Sequence, residues 1–115
     1  DELDSSISFT GHTMTLRCGI DLIDIKRVEA GIARLGERFL NRFFTAGERA
    51  DCADRPHRLA ARLAAKEAVA KALGTGIGDV RWVEIEVRAD AHGRPLLHLH
   101  GEAQTRWASR HGRSA

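Results

Sequence analysis

The chain has 115 residues, 43% of them hydrophobic and 30% charged, with a net charge of +2. This is one domain of ordinary globular composition, of a size at which domains often gain stability by assembling. No apolar run reaches the ~18 residues of a membrane helix, the acidic, polar start is unlike a secretory signal, and the slight charge does not argue for nucleic acid.

In residues 13–23, Met14, Leu16, Cys18, Ile20 and Leu22 share one parity, against Thr13, Thr15, Arg17, Gly19 and Asp21. The alternation predicts a strand with one buried face, and Asp21 near its end on the other face. Ile25, Val28, Ile32, Leu35 and Phe39 then recur at three and four, the helical period. Gly31 and Gly36 weaken that helix, and a break is expected near Gly36. "FLNRFFT" (39–45) continues as a second short helical or turn segment. Thr45, followed three residues later by Glu48, fits a capping box opening another short helix. Pro56 opens a long helix and Gly74 closes it. In "RWVEIEVR" (81–88), Val83, Ile85 and Val87 alternate with Glu84 and Glu86. "ADAHG" is a turn and "RPLLHLH" a second strand, so 81–100 reads as a β-hairpin. The order of strand, helices, long helix and hairpin is an α+β fold. Cys18 and Cys52 lack a metal-ligand spacing and read as free thiols of a cytoplasmic protein. His98 and His100 share a strand face, for which solvation is the better reading than a metal pair.

The long helix carries an irregularity. At about 100° per residue, Leu59, Leu63, Val69 and Leu73 share one arc, and Arg62 and Lys66 fall inside it. Cations within an apolar stripe break binary patterning. They either extend past the core edge, with Glu67 and Lys71 forming a surface i,i+4 pair, or they meet an anion. Basic residues beside a carboxylate suit a phosphate when a divalent metal sits between, and Glu67 is placed to share such a metal with Asp21. "GTGIG" (74–78) offers backbone that a ligand can approach, but it follows a helix and is no phosphate-binding fingerprint.

"GIDLIDIKRVE" (19–29), "RFFTAGE" (42–48) and "RLAAKEAVAKALGTGIG" (62–78), in this order, resemble the bacterial holo-acyl-carrier-protein synthase family over most of the chain. These are small 4'-phosphopantetheinyl transferases. The resemblance implies their fold, with a small antiparallel sheet packed against a long helix, as a single domain over 1–115. It implies transfer of phosphopantetheine from coenzyme A to a serine of apo-acyl carrier protein, with release of 3',5'-ADP and a need for Mg²⁺. It makes Asp21 and Glu67 the metal carboxylates, and Lys71 the neutraliser of the diphosphate. Arg62 and Lys66 line the coenzyme A site, with Gly74, Thr75 and Gly76 as ligand-facing loop. "HGRP" (92–95) matches the hairpin turn near the nucleotide, giving Arg94 and Pro95. Glu48 lies near the metal's ligands, and Arg27 on the first helix meets the acidic carrier protein. The serine's proton passes to water or to a carboxylate such as Glu67. A cytoplasmic homotrimer serving fatty acid biosynthesis, with no nucleic acid and no membrane, completes the expectation.

The chain also departs from the family. A Ser-x-Ser/Thr-His-Thr strand and a final apolar strand are not matched after the hairpin, and the tail 104–115 is basic and unlike a strand. "SISFTGHT" (6–13) resembles the unmatched motif, with Phe9 at the His position, so residues 1–12 read as a foreign or a permuted leader. Two functional readings remain: an active transferase, or a truncated or inactive relative that only binds coenzyme A or carrier protein. A nucleic-acid module is disfavoured, because no aromatics interleave with the basic residues and there is no Tyr.

Overall fold

The computed structural model describes residues 3–9, 12–18, 22–74 and 80–110, with backbone alone for 3–9, 12–18 and residue 110. Strands β1 (Leu3–Phe9) and β2 (His12–Cys18) come first. Helices α1 (Leu22–Leu35), α2 (Glu37–Phe43), α3 (Ala46–Cys52) and α4 (Pro56–Ala72) follow. A single 3₁₀ turn, Trp82–Glu84, leads into β3 (Ile85–Ala89), then β4 (Pro95–Leu99) and α5 (Gly101–Arg110). The sheet order is β2-β1-β4-β3. Two antiparallel hairpins, β1–β2 and β3–β4, meet through the parallel pair β1–β4, aligned at Ser8↔Leu96. The fold is α+β as expected, and its sheet is mixed where an antiparallel one was expected.

β2 ends at Cys18, earlier than the predicted 23, and Leu22 begins α1 with 63% of its surface exposed. The two periods overlap here: Leu22 fits the strand parity, but it also precedes Ile25, Val28 and Ile32 at helical spacing. Ile20 and Asp21 lie outside the described residues. The break at Gly36 is present, with φ at 57°, a conformation other residues adopt reluctantly. Gly31, read as a weak point, has a different use. A Cβ there would overlap the Phe39 ring, so the missing side chain lets α2 close onto α1. Residues 82–84, which the alternation predicts as strand, are not strand. The Glu84 amide donates to the Arg81 carbonyl at 2.9 Å, winding a 3₁₀ turn, so the strand starts only at Ile85. Finally, the tail unlike a strand is partly helical. In α5, Ala103 is buried and Trp107 packs on the core.

α4 is the spine of the molecule. Its last turns (Ala65, Val69, Ala70, Leu73) pack on Val80, Ile85, Val87, Leu97, Leu99 and Ala103. Its first turns (Leu59, Ala60, Leu63) pack on Val28, Leu40, Phe44 and Cys52. Burying a stripe this long on two sides is what holds a helix of modest intrinsic amphipathicity in place.

Candidate active site

Thr45 caps α3. Its hydroxyl accepts from the Glu48 amide at 3.1 Å, and its own amide donates to Glu48 Oε1 at 2.9 Å, the capping box read from the sequence. That exchange turns the Glu48 carboxylate into the interior. There Oε1 also accepts from Lys66 Nζ at 2.7 Å, and Oε2 accepts from the Val87 amide at 2.8 Å. Lys66 gives a second bond to the Phe43 carbonyl at 2.6 Å and lies over the Phe44 ring. Both Glu48 and Lys66 are 0% exposed. Burial pushes the Lys66 ammonium below its ordinary value, against the opposing pull of Glu48.

This overturns an expected role. Lys66 does not line a ligand site, because its charge is spent inside the protein on Glu48 and a backbone carbonyl. Glu48 has its oxygens committed to Lys66, Thr45 and Val87, which bars it from binding a ligand directly and leaves its expected place behind the metal's ligands untouched. Arg62 follows the same logic. Its Nη1 donates to the Val87 carbonyl and lies 3.5 Å from Asp51 Oδ2, leaving the side chain 19% exposed. β3 is an edge strand in the described sheet. Its free edge is closed by side chains: Glu48 takes the Val87 N–H, Arg62 gives to the Val87 carbonyl, and Asp51 Oδ2 takes the Ala89 N–H at 3.0 Å. An unpaired edge invites another strand, and these residues occupy it.

Glu67, Lys71 and Gly74 share another face of α4, spaced at four and three. Glu67 is half-buried and, among the described residues, has no hydrogen-bond or ion-pair partner. Lys71 is exposed and does not pair with Glu67, so the i,i+4 surface pair does not form. Gly74 caps the helix with φ at 72°, its amide donating to the Lys71 carbonyl at 3.0 Å. Asp21, Thr75 and Gly76 lie outside the described residues.

Arg94 is exposed on the β3–β4 turn, and Pro95 is half-buried as the first residue of β4. Asp90 builds that turn: Oδ1 accepts from the amides of His92 and Arg94, each at 2.8 Å. Arg27 is 62% exposed on α1 and 3.3 Å from Asp24. His98 is exposed, whereas His100 Nε2 lies 2.9 Å from Glu86 Oε1, and Thr45 donates to Glu86 Oε2 at 2.7 Å. The sequence reading missed Glu86, Asp51 and Arg88. Glu86 sat on the polar parity of a strand, which reads as solvated, and nothing local announces that α3 covers it. Cys52 is a buried free thiol, held above its ordinary pKa by burial.

For the divalent ion that the resemblance implies, the described residues of α4 offer one open carboxylate. Among the described residues no three His, Cys, Asp or Glu side chains converge. Mg²⁺, however, takes only one or two protein carboxylates and completes its shell with phosphate oxygens and water. Glu67, a half-buried carboxylate with no described partner, fits one of those places.

Comparison with known proteins gives the family. The sequence profile of the 4'-phosphopantetheinyl transferase superfamily matches residues 17–114. A holo-[acyl-carrier-protein] synthase of Herpetosiphon aurantiacus is 50% identical over 95 residues, covering 76% of this chain and 75% of its own. One of Alkalilimnicola ehrlichii is 50% identical over 96 residues, covering 79% and 75%. The crystal structure of the Neisseria meningitidis synthase superimposes with a TM-score of 0.61 at 35% identity, over 78% of this chain and 74% of that one. Matched by that profile over most of its length and by these relatives, the chain belongs to the 4'-phosphopantetheinyl transferase superfamily.

Proposed function

We infer that this protein is a holo-acyl-carrier-protein synthase, which moves 4'-phosphopantetheine from coenzyme A to a serine of apo-acyl carrier protein and releases 3',5'-ADP. The observation that carries the reading is the state of Glu67: half-buried, on the same face of α4 as Lys71, and without a partner among the described residues, while its neighbour Lys66 is bonded to Glu48 and the Phe43 carbonyl. Phosphoryl transfer asks for positioning and charge neutralisation more than covalent catalysis. Glu67, with Asp21, would hold Mg²⁺, which when bound supplies positive charge to the diphosphate. Lys71, one turn on and exposed, brings its ammonium to the same face as a second counter-charge. Gly74, Thr75 and Gly76 give close backbone approach, and Arg94 and Pro95 flank the nucleotide. Arg27 faces the acidic carrier protein. A homotrimer in the cytoplasm, serving fatty acid biosynthesis, is the setting that fits a domain of this size. No described helix is long and apolar enough to cross a membrane.

Mixing the protein with apo-acyl carrier protein, coenzyme A and Mg²⁺ and weighing the carrier tests the reading. The expected result is a gain of one phosphopantetheine, lost with EDTA and with Glu67→Ala. No gain from folded protein, beside a working transferase, would leave a relative that only binds and overturn the enzyme.

A further inference from the structure

The Glu48–Lys66 pair joins four elements of the fold. Both side chains are wholly buried, and the carboxylate collects the Lys66 ammonium and the Thr45 and Val87 amides. The ammonium also holds the Phe43 carbonyl. One cluster thereby ties the end of α2, the first turn of α3, the middle of α4 and the edge of β3. Stability alone does not call for such a pair. Desolvating two charges costs several kcal/mol, and a well-packed apolar replacement often does as well or better. What an apolar replacement lacks is direction. The contacts of Leu63 and Val69 tolerate small slides and rotations of α4, whereas hydrogen bonds to two fixed backbone amides and one carbonyl do not. Lys66 immediately precedes Glu67, so the point at which α4 is pinned is the point from which Glu67 projects.

We propose that Glu48 and Lys66 are positioning residues for Glu67: their buried pair sets the rotation and height of α4 on β3, and so places the Glu67 carboxylate for the divalent ion. This rests on the reading of Glu67 as a metal carboxylate. Neither residue touches substrate. The role differs from an ordinary stabilising contact because its loss reaches metal affinity even when the protein remains folded.

The test uses the double variant Lys66→Met/Glu48→Gln, which removes both charges at similar volume, and the single variant Glu48→Gln, which keeps the shape. Unfolding midpoints are measured with Mn²⁺ binding by calorimetry, in the presence of coenzyme A and without carrier protein, and then kcat and KM. In folded double variant, Mn²⁺ affinity and kcat fall by roughly tenfold, the low end of what supporting residues around metal ligands contribute. KM for the carrier protein stays within about twofold, since Arg27 is untouched. Glu48→Gln gives the same pattern at smaller amplitude. Wild-type Mn²⁺ affinity and kcat in either folded variant overturn the proposal, and so does failure of both variants to fold, which would assign the pair to folding. Glu67→Gln separates the two readings. If it leaves Mn²⁺ affinity unchanged, the metal role of Glu67 fails, whatever the pair does.

Discussion

Arg62 and Lys66 were legible as an anomaly and illegible as a solution. Their place in the apolar arc of α4 can be counted off the sequence, and the cost of a buried unpaired charge says that something must meet them. What meets them lies far along the chain: Glu48 and Phe43 before Lys66, Val87 and Asp51 on either side of Arg62. An anion from outside and a carboxylate from inside satisfy the same stripe equally well on paper. The capping box was readable because it is local, and its second consequence, a carboxylate turned inward, follows only once α3 is seated on β3. Arg62 gives a direct test. Arg62→Ala strips the partner from a backbone carbonyl at the sheet edge and should cost about 1–3 kcal/mol in urea unfolding, while KM for coenzyme A stays at the wild-type value. A raised KM with an unmoved unfolding midpoint would return Arg62 to the ligand.

At the scale of elements, the parts with one unambiguous period were readable: α4 with Pro56 and its glycine stop, the β3–β4 hairpin, and the break at Gly36. The boundaries that moved are those where two periods or two local bonds compete, at Leu22 and at residues 82–84. Gly31 was misjudged for a physical reason, since propensity counts what glycine costs a helix and is blind to what packs against it. Phe39 lies over Gly31 and stacks on Phe43 with ring centroids 4.8 Å apart, and Phe43 in turn meets Trp82 at 5.6 Å. Gly31→Ala gains about 1 kcal/mol in helix propensity and forces the Phe39 ring aside, an overpacking that costs roughly 1–3 kcal/mol. The net expectation is a less stable protein by thermal unfolding, with stability recovered when Phe39→Leu is added. A more stable Gly31→Ala single variant would show that the aromatic row yields freely.

Over the whole molecule, the helical layer and the hairpin are joined through carboxylates as well as through apolar contact, and this makes the fold sensitive to acid. Asp51 of α3 accepts from Arg88 Nε at 2.9 Å and from the Ala89 amide. The Arg88 bond is the main influence holding its pKa below the ordinary value; burial opposes it, and the charges of Arg88 and Arg62 assist. For Glu86, burial acts upward, but hydrogen bonds from Thr45 and His100 and the charges of His100 and Arg88 outweigh it, so that carboxyl too is lowered. Glu37 and Asp54 are lowered by their shared partner Arg49. In the unfolded chain these groups return to about 3.9 for Asp and 4.3 for Glu. Below those values the unfolded state binds more protons than the folded one, so stability is fully present above about pH 5 and falls as pH drops through the folded values. Urea midpoints taken from about pH 6 down to about pH 3 should therefore decline steeply. Asp51→Asn should lower the neutral-pH midpoint, because Arg88 loses the nearer of its two charge partners, and should flatten the acid decline, because one of the linked protons is gone. An equally steep decline in Asp51→Asn would mean that this seam does not carry the acid sensitivity, and that it lies instead with the surface cluster around Arg49.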